Sequence, residues 1–198
     1  MISLLITGVG GQGVLTLSRI ICEAAFRSGL DVKATEIHGL SQRGGSITSC
    51  IKMGRKIYSA VIGKNEADIL LSLEALEAAR NINYLKKDGL TIFSKRRIPP
   101  LKVIIGLEKY PSESDLINLI KKQTKYIYPV DVKEISETIG SRFENVFLMG
   151  FLSSFLEKTI DLPCFIDALK STFSGRILEM NLKAFKKGRG KSLSIGRT

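Results

Sequence analysis

Cysteine and histidine are scarce in this chain of 198 residues, which has three Cys and one His. Cys22, Cys50 and Cys164 lie far apart with no C-x-x-C pair, so the four closely spaced thiolates of an iron–sulfur cluster or structural zinc are missing. His38 stands alone, which excludes a His-rich metal site. The thiols read as small buried hydrophobes in a reducing compartment, and any redox metal must come from another chain. Long apolar runs are also missing. The longest, residues 146–156, falls well short of the ~20 that a membrane span needs. Met1-Ile2-Ser3 enters an apolar run without the basic start or cleavage site of an export signal. The expectation is a soluble, cytoplasmic chain with no membrane partner. No aromatic-rich basic strand or recognition-helix pattern is present, so nucleic acid is not an expected partner either.

What is present suits a globular chain. Hydrophobic residues make up 44% and charged residues 25%, and the nine Phe supply bulk for a core. That excludes a disordered chain, whose apolar burial could not offset its entropy, and the length fits one domain. The net charge of +11 is uneven. Residues 1–100 carry 14 basic and 8 acidic groups, residues 101–175 carry 9 and 10, and residues 176–198 carry 7 and 1. Basic surface attracts polyanions, from nucleic acid to phosphate-rich cofactors or an acidic protein. Without a site beside it, such a surface is only a solvated face. Residues 1–190 read as a single domain and residues 191–198 as a basic tail.

Hydrophobic periodicity places the elements. Residues 2–7 read as a buried strand, residues 14–28 as a helix closed by Ser28-Gly29, and residues 31–37 as a second strand. This βαβ unit predicts a parallel sheet with a right-handed crossover. Residues 46–52 alternate as a strand, and Met53-Gly54-Arg55-Lys56 would turn it into a partner near residues 57–59. Strands follow at 69–73, 90–93 and 126–128. Helices are expected at 74–84, 116–122, 132–139, 145–159, 163–173 and 176–187. Lys87-Asp88-Gly89 is a turn, and Pro99-Pro100 marks an excursion rather than a domain boundary. Gly150, Ser153 and Ser154 offer a small-residue face for close helix contact. The fold class is α/β, a Rossmann-like layered sheet, mostly parallel, with a helical C-terminal part.

Two glycine-rich loops carry the chemistry. Gly8-x-Gly10-x-x-Gly13, after a strand and before a helix, fits the dinucleotide fingerprint. Glycines there permit a tight turn and close backbone approach, while free helix N–H groups attract a phosphate. The same glycines would equally serve close packing of helix 14–28 on its strand. The second loop runs from Glu36 to Ser46 and should share a crevice with the first, at the carboxyl ends of the strands. Arg43 is its candidate anion-binding group, a planar and permanently charged fork. The alternative for Arg43 is a structural ion pair with Glu36 or Asp68. His38 reads as a loop-tethering imidazole, because no nucleophile or second histidine accompanies it.

Gly8-Val9-Gly10-Gly11-Gln12-Gly13-Val14 and Glu36-x-His38-Gly39-x-x-Gln42-Arg43-Gly44-Gly45-Ser46 together resemble the gamma-type domain of 2-oxoacid:ferredoxin oxidoreductases. The His-Gly-x-x-Gln-Arg-Gly-Gly form is most similar to the indolepyruvate branch of that family. Glu66-Ala67-Asp68, Ile98-Pro99-Pro100, Tyr110-Pro111, Asn145, Leu148-x-Gly150 and Asn181-Leu182-Lys183-Ala184-Phe185-x-x-Gly188 extend the resemblance over nearly the whole chain. It implies a smaller subunit that is active only in a hetero-oligomer. Such an enzyme decarboxylates a 2-oxoacid on thiamine diphosphate, passes electrons to ferredoxin and releases an acyl-CoA. Thiamine diphosphate, Mg and the iron–sulfur clusters are then expected in a larger partner subunit. Coenzyme A is the ligand implied for Gly8, Gly10, Gly11, Gln12, Gly13, Gln42, Arg43, Gly44 and Gly45, with no catalytic or metal residue in this chain. The gamma subunit of a pyruvate, 2-oxoglutarate or branched-chain enzyme is a near alternative. A free-standing Rossmann-like nucleotide-binding protein is a distant one.

Overall fold

Six strands form one sheet in a computed structural model that describes residues 1–38 and 45–195. They are β1 (Ile2–Val9), β2 (Asp31–His38), β3 (Ser46–Gly54), β4 (Ala67–Ser72), β5 (Leu85–Ser94) and β6 (Ile127–Val130), in the order β2-β3-β1-β4-β5-β6. β1, β4, β5 and β6 pair in parallel, whereas β3 runs antiparallel to both of its neighbours, β1 and β2. The sheet is therefore mostly parallel, as expected.

The βαβ unit is interrupted, because β3 inserts between β1 and β2. Side-chain character explains the insertion. β2 carries Asp31, Lys33 and Glu36, with Lys33 and Glu36 exposed, which suits a sheet edge. β3 has Ser49, Cys50, Ile51 and Met53 buried over both faces, which suits an interior strand. With both edges of β3 taken, residues 57–59 have no strand to pair with, and the hairpin expected there does not form. That segment is a loop held by Ile57 N, which donates to Asp31 Oδ2 at 2.6 Å.

Helices cover both faces. α1 (Val14–Arg27), α5 (Lys133–Thr138), α6 (Glu144–Ser153), α7 (Leu162–Thr172) and α8 (Gly175–Ile195) build the larger core, on Leu4, Ile6, Ile51 and Leu71 of the sheet. α2 (Ala75–Arg80) and α4 (Glu113–Lys121) build a smaller one on Phe93. α3 (Leu101–Ile104) has no buried residue. A capping box of Ser112 and Asp115 starts α4. The turn at 87–89 lies inside β5 as a register shift against β4, with Asp88 at φ +56.

α6 and α8 approach closely. A Cβ on Gly150 would collide with the Phe185 carbonyl, and one on Gly188 with the Phe147 carbonyl. Ser154 and Ser192 hydroxyls bond across the same contact. The helix expected over 176–187 runs on to Ile195. Residues 191–195, expected as tail, are thus helical, and Ser192 is buried. Among the described residues, no helix is long and apolar enough to cross a membrane.

Candidate functional site

The first glycine loop sits at the carboxyl end of β1, and its glycines divide the work. Gly8 is a packing residue: a Cβ there would lie 2.8 Å from Val14 Cγ2 and 3.2 Å from Leu73 Cβ. Gly11 has φ +101, is exposed and has open space where a side chain would be. Gly13 has φ +80, a region that only glycine enters freely, and a Cβ there would overlap the Asn145 amide of α6. Gln12 is a brace, not a free ligand. Its Oε1 accepts from Val9 N at 2.8 Å and its Nε2 donates to Leu73 O at 2.7 Å.

Gly13 is also the N-cap of α1. No side chain caps that terminus and no acid lies in its first turn, so neither satisfies the first N–H groups or the positive helix end. The two loops meet, because Gly10 N donates to Gly45 O at 2.9 Å. Gln42, Arg43 and Gly44 lie outside the described residues, as does the His38 side chain.

A cleft of ≈ 390 Å³ opens over Gly10, Gly11 and Gln12. Leu73, Arg96 and Ile98, after the carboxyl ends of β4 and β5, form a second wall. Ser141, Arg142, Glu144, Asn145 and Leu148, leading into α6, form the third. A recess of ≈ 270 Å³ continues from Gly11 and Arg142 past Gly13 to Asn181. The position is the one where open α/β sheets hold ligands.

Two arginines charge this cleft. Arg96 lies 3.2 Å from Glu144 Oε1, with its own side chain 43% exposed and that of Glu144 only 10%. Burial raises the Glu144 pKa above the usual carboxylate value, and Arg96 and a Ser136 hydrogen bond oppose the rise. Arg142 stacks on the Phe143 ring at 5.0 Å and has no carboxylate partner among the described residues. Arg96, Arg142, Glu144 and Asn145 were not among the residues expected here. The signal was the basic run Lys95-Arg96-Arg97 after a strand end, and Arg142 just ahead of a helix.

Arg96 is positioned by a buried clasp. Its backbone N donates to Ser94 Oγ at 2.9 Å, and its carbonyl accepts from Ala75 N at 3.1 Å. Glu74, 1% exposed, caps α2 through Oε2, which accepts from Glu77 N at 2.9 Å. Its Oε1 accepts from Ile98 N at 3.0 Å and from the Tyr110 hydroxyl at 2.5 Å. Burial, and then the hydrogen bond to Glu74, pushes the Tyr110 pKa above the normal phenol range.

Gly10 N and Gln12 N are already bonded to Gly45 O and Val9 O, so the arrangement offers an anion the Gly11 and Gly13 N–H groups, a helix N-terminus and two guanidinium groups, that of Arg96 shared with Glu144. Among the described residues it offers no nucleophile paired with a base. Among the described residues no three His, Cys, Asp or Glu side chains converge as metal ligands, so they do not fit an iron–sulfur cluster. Cys22, at about 11, is a thiol raised by burial.

Comparison with known proteins agrees along the full chain. The pyruvate ferredoxin/flavodoxin oxidoreductase family matches residues 3–190. The indolepyruvate oxidoreductase subunit IorB of Archaeoglobus fulgidus is 36% identical over 194 residues, covering 98% of this chain and 96% of that protein. Among solved structures, the 2-oxoglutarate:ferredoxin oxidoreductase of Magnetococcus marinus, with 2-oxoglutarate, coenzyme A and succinyl-CoA bound, superposes with a TM-score of 0.78 at 19% identity. All of this chain matches there, but only 32% of that longer chain. The gamma subunit of a keto/oxoacid ferredoxin oxidoreductase from Geobacter sulfurreducens gives 0.71 at 19% identity, with 98% and 99% of the two chains covered. The likeness of the two structures bears on the fold, and the family match and the relative decide membership: the chain belongs to the pyruvate ferredoxin/flavodoxin oxidoreductase family.

Proposed function

We propose that this chain is the smaller subunit of an arylpyruvate (indolepyruvate-type) ferredoxin oxidoreductase in the cytoplasm. The overall reaction takes an arylpyruvate, coenzyme A and oxidised ferredoxin to an aryl-acyl-CoA, carbon dioxide and reduced ferredoxin. The observation that carries this reading is the end-to-end match, in both directions, to an indolepyruvate oxidoreductase subunit. Thiamine diphosphate, Mg and the clusters belong to a larger subunit in this reading, and no step on them is assigned to residues of this chain.

The contribution of this chain is to hold coenzyme A. Its phosphate groups suit the Gly11 and Gly13 amides and the start of α1, and Arg96 and Arg142 flank the floor at Gly10–Gln12. Arg43, two residues before the Gly45 carbonyl that bonds Gly10 N, is the further guanidinium that the sequence motif assigns to this ligand. The floor binds charge and the apolar side chains Leu73, Ile98 and Leu148 exclude water beside it. The thioester-forming end of coenzyme A then projects out of the cleft toward the partner.

Co-expression with the larger subunit and a screen of 2-oxoacids for coenzyme A-dependent dye reduction tests the reading. Arylpyruvates should be the best substrates; preference for pyruvate or 2-oxoglutarate would overturn the arylpyruvate assignment. A charge-assisted hydrogen bond is worth about 1.5–3 kcal/mol, so Arg43→Ala or Arg142→Ala should raise the KM for coenzyme A roughly 10- to 150-fold. Arg→Lys should recover part of the loss, because it keeps the charge without the fork. Decarboxylation of the 2-oxoacid before coenzyme A enters should be unaffected. An unchanged KM for coenzyme A in the assembled complex removes that arginine from the site.

A further inference from the structure

Between β5 and α4 the chain leaves the body of the fold as a short arm. Four large apolar side chains stand on it within seven residues, Leu101 at 69%, Ile104 at 70%, Ile105 at 58% and Leu107 at 72% exposed. A monomer seldom gathers such a cluster without a partner for it.

The arm is stiff. Ile98 N and the Tyr110 hydroxyl, one at each end, donate to the same buried Glu74 oxygen. Arg97 closes the neck by stacking 4.4 Å from the centre of the Tyr110 ring. The head folds on itself: Leu107 N and Glu108 N both donate to Lys102 O, and Lys102 Nζ pairs with Glu108 at 3.0 Å. An element so pre-ordered loses little entropy on docking.

Charge identifies the occupant. Lys95, Arg96 and Lys102 are paired with Glu113, Glu144 and Glu108, which leaves Arg97 and Lys109 as cations at the neck of the arm with no carboxylate partner among the described residues. In a chain of net charge +11, a second copy would bring like charge to the same place. A groove with an apolar floor and an acidic rim complements the arm on both counts. Position adds a consequence: Arg96 and Ile98, at the base of the arm, line the cleft over the glycine loop.

We propose that residues 98–109 are the arm by which this chain docks into an apolar, acid-rimmed groove of its larger subunit, so that the partner covers one side of the cleft. The proposal rests on the functional reading above. The test is co-expression with the larger subunit, followed by native mass spectrometry and titration of the purified partners. The double variant Ile104→Asp/Leu107→Asp should weaken assembly by roughly 100-fold or more, because apolar anchors dominate such contacts. Its thermal midpoint alone should stay close to that of the wild type, since Ile104 is 70% and Leu107 72% exposed. Lys109→Glu should weaken assembly most at low salt, and stronger assembly would refute the acidic rim. Tyr58→Asp/Val61→Asp, on the apolar loop at the opposite end of the sheet, should leave assembly intact.

Normal assembly of the arm variant overturns the docking assignment and leaves the functional reading standing. An isolated wild-type chain whose dimer the arm variant abolishes, with partner binding kept, assigns the arm to a second copy and overturns it too. A wild-type chain that assembles with no thiamine-bearing subunit overturns the functional reading, and the docking assignment with it.

Discussion

Adding one methyl group at Gly13 separates the two demands on the first loop, conformation and close packing. In Gly13→Ala the backbone stays at φ +80, which costs an L-residue about 1–2 kcal/mol. The new Cβ also meets the Asn145 amide, whose Nδ2 reaches Gly13 O at 3.5 Å and whose Oδ1 accepts from Val146 N at 2.8 Å. Turning that amide away loses about 0.5–1.5 kcal/mol of hydrogen bonding. The total is about 1.5–3.5 kcal/mol, or a fall in Tm of about 3–14 °C for a chain of this size. Gly11→Ala bears only the conformational part, because its φ of +101 comes with open space. Urea unfolding of both variants, each with and without Asn145→Ala, should show Gly13 coupled to Asn145 and Gly11 uncoupled. With Asn145 removed, the cost at Gly13 should fall to that at Gly11. A cycle whose four corners add to within about 0.3 kcal/mol would refute the packing argument. Coenzyme A affinity gives the second readout: Gly11→Val, at the mouth of the cleft, should weaken binding more than it lowers stability. If it lowers stability alone, the anion site is not at this loop.

The α6–α8 contact is the place where a methyl group should cost most for its size. Gly188→Ala pushes a Cβ into the Phe147 carbonyl, which cannot swing aside as a side chain would, so a loss at or above the upper end of about 1–3 kcal/mol is expected in urea unfolding; a loss below that range would refute the contact. Glu144 supplies a pH test. Its raised folded pKa means that its contribution is fully present below the unfolded carboxylate value, about 4.3, and is lost as pH rises through the folded value. Glu144→Gln should therefore gain on the wild type as pH rises from about 4 into the neutral range, and a pH-independent difference between the two would refute the burial argument.

Much of the local structure was legible in the sequence, because the forces that set it are local. The apolar run 2–7, the helical spacing of Val14, Leu17, Ile21, Ala24 and Ala25, and the acids at the start of α4 act within one element. The small face of α6 pointed to a close helix contact, which the Gly150–Phe185 and Ser154–Ser192 pairs supply. The two glycine loops carried the family, since backbone shape and side-chain chemistry there are written in consecutive residues.

Strand order was not legible in that way. Whether β2 or β3 lies beside β1 depends on which strand can be covered on both faces and which tolerates an edge, a comparison made only once all layers are assembled. The expected hairpin at 57–59 failed for that reason, since both edges of β3 were already taken. The cleft is non-local in the same sense. Gly11, Arg96 and Arg142 stand far apart in the chain, and they meet because parallel strands bring successive loops to one edge of the sheet. Glu74 reads in sequence as an ordinary helix-start acid; only packing made it a buried clasp for Ile98 and Tyr110. The sequence by itself determined the elements and the family through patterns within single segments. Tertiary structure decided strand order, the walls of the cleft and the arm beside it, because burial and convergence are properties of the assembled layers.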